Sequence, residues 1–146
     1  MHKNGFKLDQ VLKYRKEMEK VSKLELAEAK LELDNANSRL KCEEEEADRL
    51  NLEFMCRQQK GITGFEFQIY SYFSRKKSED IKDQRANVGL LNHEVIRKRE
   101  TLLEASKGKK MLETLEKKNS LARKREIAVK ENHLMEENAL RGKGKL

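Results

Sequence analysis

Apolar residues recur every three and four positions along most of this 146-residue chain, and the repeat is interrupted once. A period of about 3.5 residues is typical of α-helices that wrap around each other. The first part of the repeat is Leu26, Ala29, Leu33, Ala36, Leu40, Glu43, Ala47, Leu50 and Phe54. The second part is Ile81, Gln84, Val88, Leu91, Val95, Lys98, Leu102, Ala105, Lys109 and Leu112. Glycines in the interruption predict one long helix folded back on another.

The composition agrees with a coiled coil. The chain has no proline, 40% charged residues and 36% hydrophobic residues. Low hydrophobicity with high charge is also typical of disordered chains. A coiled coil, however, needs apolar residues at only two positions in seven, so the sustained repeat favours the coiled coil.

The predicted fold class is all-α, a long antiparallel two-helix coiled-coil hairpin with a C-terminal helical overhang. We expect one domain over residues 1–146. The first helix would span about 6–60, the turn 61–64 and the second helix about 65–140, followed by a disordered tail at 141–146. Gly61 suits the left-handed position that ends a helix, and Thr63 with Glu66 fits a capping box.

The two apolar faces predict the register of the hairpin. A fold about Ile62 brings together Leu33 with Leu91, Ala36 with Val88, Ala29 with Val95, and Leu12 with Leu112. Residues after about Asn119 then have no partner in the chain. Near the start we expect a stripe that is out of phase with Leu26 and consists of Val11, Tyr14, Met18 and Val21.

The residues carry no pattern of an active site. The three histidines lie far apart in sequence, and the run Glu43–Glu46 points around a helix instead of forming a paired acid and base. We therefore expect no catalytic residue, no cofactor and no metal. Cys42 and Cys56 would lie about 21 Å apart on one helix, too far to bridge, and are expected to be free thiols.

Charge and hydropathy indicate where in the cell the protein is located and which classes of partner it can bind. The net charge is +7, and the excess lies after residue 60. Glutamates interrupt the basic residues there, so nucleic-acid binding is a third alternative, behind protein partners. The charged first twenty residues do not resemble a signal peptide, and no segment is long and apolar enough for a membrane span, which predicts a cytosolic protein.

Aromatic residues concentrate around the predicted turn. They are Phe54, Phe65, Phe67, Tyr70, Tyr72 and Phe73. One coiled-coil interface can bury only some of them, so at least one of Tyr70, Tyr72 and Phe73 should face outward. They either pack locally to hold the turn or form a contact surface for a partner.

The N-terminal block resembles the start of the flagellar export protein FliJ family. It reads Phe6-Lys7-Leu8-Asp9-Gln10-Val11-Leu12-Lys13-Tyr14-Arg15. The chain length, the lack of proline, the central turn and the basic second helix, with Arg97-Lys98-Arg99-Glu100, also resemble that family.

The resemblance implies a non-enzymatic component of the flagellar type III export apparatus, with roles in motility and chemotaxis. It would be a stalk-like coiled coil, cytoplasmic and peripherally associated with the inner-membrane apparatus. Implied partners are the hexameric export ATPase, the export gate membrane protein of FlhA type and export chaperones. The injectisome stalk proteins are the related alternative.

The resemblance also suggests two binding surfaces. A gate-binding patch near the turn would consist of Leu50, Phe54, Tyr70 and Phe73. The opposite end would enter the ATPase ring through Phe6, Leu8, Val11, Tyr14, Arg15, Arg123, Lys124 and Arg125. The alternative from another class is a dimeric coiled-coil spacer or regulator without ATPase contact.

Overall fold

The computed structural model contains two long helices, and it describes the backbone of residues 2–144 and the side chains of residues 8–142. Helix α1 spans His2–Lys60 and helix α2 spans Gly64–Gly144. The predicted all-α class is confirmed. Both helices are longer than expected. Helix α1 begins at His2 instead of Phe6, and α2 continues through most of the predicted tail. No proline is present to stop either helix.

The chain forms two compact units. Unit 1 contains Met1–Lys20 and Leu103–Leu146, and unit 2 contains Val21–Leu102 with the turn. Each unit pairs a segment of α1 with a segment of α2. The organisation as a single domain stays a prediction.

Unit 2 is held together by the predicted apolar faces of α1 and α2, which we call the seam. Its core contains Leu26, Ala29 and Val95, with Leu33 and Leu102 packed against them. Ala36 and Val95 are 2% and 3% exposed. Every residue of the repeat from Leu26 to Phe54 and from Ile81 to Leu102 is buried or half-buried, which confirms the seam predicted in this unit.

Contacts across unit 2 establish the antiparallel register. The Lys98 ammonium lies 3.0 Å from Glu25, and the Tyr70 hydroxyl donates a hydrogen bond of 3.0 Å to Glu53. Later residues of α1 thus face earlier residues of α2. These pairings agree with a fold about Ile62, and the predicted neighbours Ala29 and Val95 lie in one cluster.

The predicted stripe near the start of α1 was wrong. Val11, Tyr14, Met18 and Val21 are all exposed. In unit 1, the buried residues of α1 are Leu12 and Glu19, while Leu8 is half-buried. These positions extend the seven-residue repeat from Leu26 back towards the start of α1, so the expected change of phase does not occur. A polar residue, Glu19, occupies the seam because Lys109 of α2 pairs with it at 3.0 Å.

The turn follows the predicted chemistry. Gly61 has a φ of 99°, in the left-handed region that favours glycine. The Thr63 side-chain oxygen accepts a hydrogen bond of 3.2 Å from the Glu66 N–H, and the Thr63 carbonyl accepts one of 3.0 Å from the Phe67 N–H. These bonds satisfy amide donors at the start of α2 that lack a partner within the helix.

Candidate partner-binding surfaces

Three aromatic rings close the seam next to the turn. The Phe54 ring centroid lies 5.3 Å from that of Tyr70 in a stacked arrangement and 5.4 Å from that of Phe67. Burial and the hydrogen bond to Glu53 raise the pKa of the Tyr70 hydroxyl. This cluster joins α1 to α2 and leaves the outer surface of α2 to other residues.

A second set of apolar side chains lies exposed on α2, at positions outside the seam. Neighbouring members of this set are one, three or four positions apart in the sequence, so they share one side of the helix. The set, which we call the outer aromatic face, is Phe65, Ile69, Tyr72 and Phe73. All four are exposed, and the Tyr72 and Phe73 rings make an edge-on contact at 5.7 Å. The expectation that at least one aromatic faces outward is confirmed.

The structure divides the four residues expected to bind a gate. Leu50, Phe54 and Tyr70 are half-buried in the seam, whereas Phe73 is exposed on the outer aromatic face. Of the four, only Phe73 is exposed enough to contact a partner directly. The other three can hold the outer aromatic face in position by packing in the seam. Phe65 and Tyr72 were named among the clustered aromatics but were left out of the expected gate-binding patch. Sequence reasoning missed Ile69, although the spacing of Ile69 with Phe65 and Phe73 was a usable signal.

Charged pairs take the place of apolar contacts at intervals along the seam of unit 2. Lys77 of α2 pairs with Glu43 at 2.8 Å and also with Glu46. Hydrogen bonds to these carboxylates raise the pKa of Lys77, and the bond from Lys77 lowers the pKa of Glu46. Lys98 of α2 pairs with Glu25 at 3.0 Å. Such pairs at seam positions favour one register over its alternatives.

In unit 1, most of the residues expected to bind an ATPase are accessible. Leu8 is half-buried, while Val11, Tyr14 and Arg15 are exposed. Phe6 lies outside the residues whose side chains are described. The Arg15 guanidinium lies across Gly108, with Nη1 3.3 Å from the point where a Cβ of Gly108 would stand.

The last part of α2 is helix without a seam. Asn119 is half-buried, and every side chain from 120 to 142 is exposed, including the predicted basic cluster Arg123, Lys124 and Arg125. We call residues 120–142 the overhang. Its apolar residues are also exposed, and they do not repeat on one side of the helix. They are Leu121, Ile127, Val129, Leu134, Met135 and Leu140.

Two features are absent from the described residues. Neither helix there contains a stretch that is apolar enough over the required length to cross a membrane. No group of three or more His, Cys, Asp or Glu side chains in that part of the chain is placed to hold a metal ion. Cys42 and Cys56 are free and exposed.

The fold and the surfaces define an all-α protein of the antiparallel coiled-coil class, with exposed faces suited to protein partners. A comparison with family models matched residues 3–143 to the flagellar FliJ protein. The chain therefore belongs to the FliJ family, and it is a component of flagellar type III protein export. Comparisons with curated proteins and with solved structures found no match.

Proposed function

We propose that the chain is a non-enzymatic, cytoplasmic stalk component that binds the hexameric export ATPase through unit 1 and the membrane export gate through unit 2. Export chaperones are proposed as further partners. Membership of the FliJ family supports the general assignment. The observation that carries the ATPase contact is the overhang, a long stretch of α2 whose side chains are all exposed.

An exposed helix of this kind gains little from the rest of the chain. Most helical stability in proteins comes from tertiary packing, and isolated helices are marginal in water. The overhang therefore gains order when a partner packs against it. Its scattered apolar residues suit a weak contact better than an obligate interface, while Arg123, Lys124 and Arg125 supply charge for attraction to an acidic surface.

The ATPase contact is expected to depend on salt. Exposed charges are screened over about 8 Å at physiological ionic strength. Reversing Arg123, Lys124 and Arg125 to glutamate together should lower the association rate with the ATPase, mainly at low salt. Reversal of Lys30, Arg39 and Lys41, which are exposed basic residues of unit 2, is the control with the same change in charge and should have a smaller effect. Equal effects would remove the overhang from this proposal.

The gate contact is proposed for the outer aromatic face. Large aromatic side chains are frequent anchors of interfaces, and truncating an anchor commonly costs about 2 kcal/mol or more of binding free energy. The rings of Tyr72 and Phe73 can enter a pocket of a partner without any change in the seam, because both are exposed and lie outside the seam.

Matched tyrosines allow a sharp test of the gate contact. Tyr72 and Tyr14 are 60% and 61% exposed, so alanine at either position should leave folding nearly intact. We expect Tyr72→Ala, and likewise Phe73→Ala, to weaken binding to the purified cytoplasmic part of the gate by at least about tenfold. Tyr14→Ala should bind as the parent protein does. Unchanged affinity in both outer-face variants would contradict the gate assignment.

A further inference from the structure

One side of unit 1 carries an exposed apolar surface that neither helix covers. We call it the lateral apolar face. It consists of Val11, Tyr14 and Met18 on α1, with Met111 and Leu115 on α2. Tyr14 and Met111 are 61% and 74% exposed. Both helices contribute, so the face is a broad strip of surface within one unit.

The seam explains why these residues share a side. Val11 and Met18 come directly before the seam residues Leu12 and Glu19, and Gly108 comes directly before the seam residue Lys109. Seen from one end of the pair, the chain of one helix rotates clockwise and that of its antiparallel partner rotates anticlockwise. Residues that directly precede the seam on each helix therefore lie on the same side of the pair. The Arg15 side chain crosses to Gly108 on this side.

Leu115 and Met111 complete the strip on α2. Leu115 lies one heptad after Gly108, and Met111 lies one turn before Leu115. A shallow, mostly apolar depression on α2 is lined there by Lys110, Met111, Thr114, Leu115 and Lys118. A side chain from another helix could fill it.

The opposite side of the same unit is polar. The surface around Leu12 there is lined by Asp9, Lys13, Lys16 and Glu116. Unit 1 therefore has one charged side and one apolar side in addition to its seam. A pair of helices that has all of its partners within the chain needs no second apolar face.

The edges of the lateral apolar face differ in charge. On α2 it is bordered by Lys107, Lys110 and Lys118, and none of the three has a carboxylate within ion-pair distance in the described part of the chain. Glu104 ends the strip one heptad before Met111. On α1 the nearest acidic residue at the edge is Glu17, which pairs with Lys20 at 3.6 Å.

We propose that the lateral apolar face docks an amphipathic α-helix of a partner protein, one that carries acidic residues on the flank facing α2. The docked helix would form a local three-helix bundle with α1 and α2 of unit 1. Its apolar residues would cover Val11, Met18 and Leu115, and its carboxylates would meet the lysines of α2. The face shares Val11 and Tyr14 with the residues expected to bind the ATPase, but the inference goes beyond the overhang contact and the gate contact and does not depend on either.

The charges favour this occupant over a second copy of the chain. In a symmetric pair of copies, the basic edge of one α2 would meet a surface with few acidic groups, and like charges would repel. An acidic helix instead places opposite charges together at the edge of an apolar contact, which is the usual arrangement for a helix bound in a groove.

The probe is a synthetic amphipathic peptide of about three heptads, with leucines at heptad spacing and glutamates on one flank. Its binding to the full chain is measured by fluorescence anisotropy. We expect Met111→Asp to weaken binding by at least about tenfold, the size of one lost anchor. Met135→Asp is the matched control, because Met135 is 70% exposed on the same helix, and it should leave affinity unchanged.

Charge reversal tests the specificity. Changing Lys107, Lys110 and Lys118 to glutamate should abolish binding of the acidic peptide and should allow binding of a peptide with lysines on that flank. Equal binding of both peptides by the parent chain would overturn the proposal. It would also be overturned by a dimer in sedimentation equilibrium that Met111→Asp dissociates, or by vesicles of phosphatidylserine and phosphatidylcholine that capture the chain through this face while the peptide does not bind.

Discussion

The Lys109 ammonium lies 3.0 Å from a Glu19 carboxylate oxygen, and this ion pair occupies the seam of unit 1. Glu19 is 7% exposed, so its charge is largely removed from water. Removing charges from water costs free energy, which their attraction offsets only when both partners are present. The pair therefore contributes more to the choice of register than to the free energy of unfolding.

Replacing one member of this pair should be worse than replacing both. Lys109→Leu leaves Glu19 in the seam without this lysine and should lower the free energy of unfolding by about 1–3 kcal/mol. The double replacement Glu19→Leu with Lys109→Leu should restore at least the parent stability, because it extends the apolar seam. Urea unfolding followed by circular dichroism measures both. Additive losses in the double variant would contradict this account.

Gln84 should be replaceable with a gain in stability. Its side-chain oxygen is buried, and no described residue supplies a hydrogen bond to it. An unsatisfied buried polar group costs about 1–3 kcal/mol. Gln84→Leu should therefore raise the free energy of unfolding of unit 2 by about 1 kcal/mol. The exposed Gln68→Leu variant is the control and should change it little; no difference between the two would mean that Gln84 is hydrated.

Two glycines should respond to alanine in opposite directions. Gly89 lies inside α2, with open space where a side chain would stand, so Gly89→Ala should stabilise by about 1 kcal/mol through helix propensity. Gly61 also has open space but adopts a φ of 99°. Gly61→Ala should destabilise by about 1–2 kcal/mol because the left-handed conformation strains an L-residue. The midpoint temperature of thermal unfolding measures both effects. A shift in the same direction for both variants would contradict the turn geometry.

The Lys77 pair predicts a plateau in stability against pH. The folded pKa of Glu46 is lowered from 4.5, so its contribution is present above about pH 4.5 and is lost as the pH falls through the lowered value. The folded pKa of Lys77 is raised from 10.5, so its contribution is complete below that pH and is lost as the pH rises through the raised value. The free energy of unfolding is measured by chemical unfolding across this pH range. Lys77→Met should reduce its fall at both the acid and the alkaline end, whereas Lys76→Met, at an exposed neighbour, should leave both unchanged.

Much of unit 2 could be predicted from sequence because its seam is mostly apolar. The repeat from Leu26 to Phe54 has only one charged residue, so its phase is evident. Unit 1 was harder. The charged residue Glu19 takes a buried position, while Val11 and Met18 offer a competing apolar phase on the surface. The choice between the phases depends on Lys109, which is distant in sequence.

The aromatic residues near the turn show a similar limit. Their concentration was evident from the sequence, and so was the need for some of them to face outward. Which ones do so depends on the phase of α2 relative to α1. Tyr70 contacts Phe54 across the seam, and this contact turns Tyr72 and Phe73 to the outside.

Hydrogen exchange of the full chain, with and without the export ATPase, tests the central claim most directly. In the free protein, amides of residues 120–142 should exchange much faster than those around Val95, because no packing offsets the entropy of ordering the overhang. Adding the ATPase should slow exchange in the overhang and leave the surroundings of Val95 unchanged. If the overhang is already as protected as Val95, or if the ATPase does not alter its exchange, the proposed stalk contact is wrong.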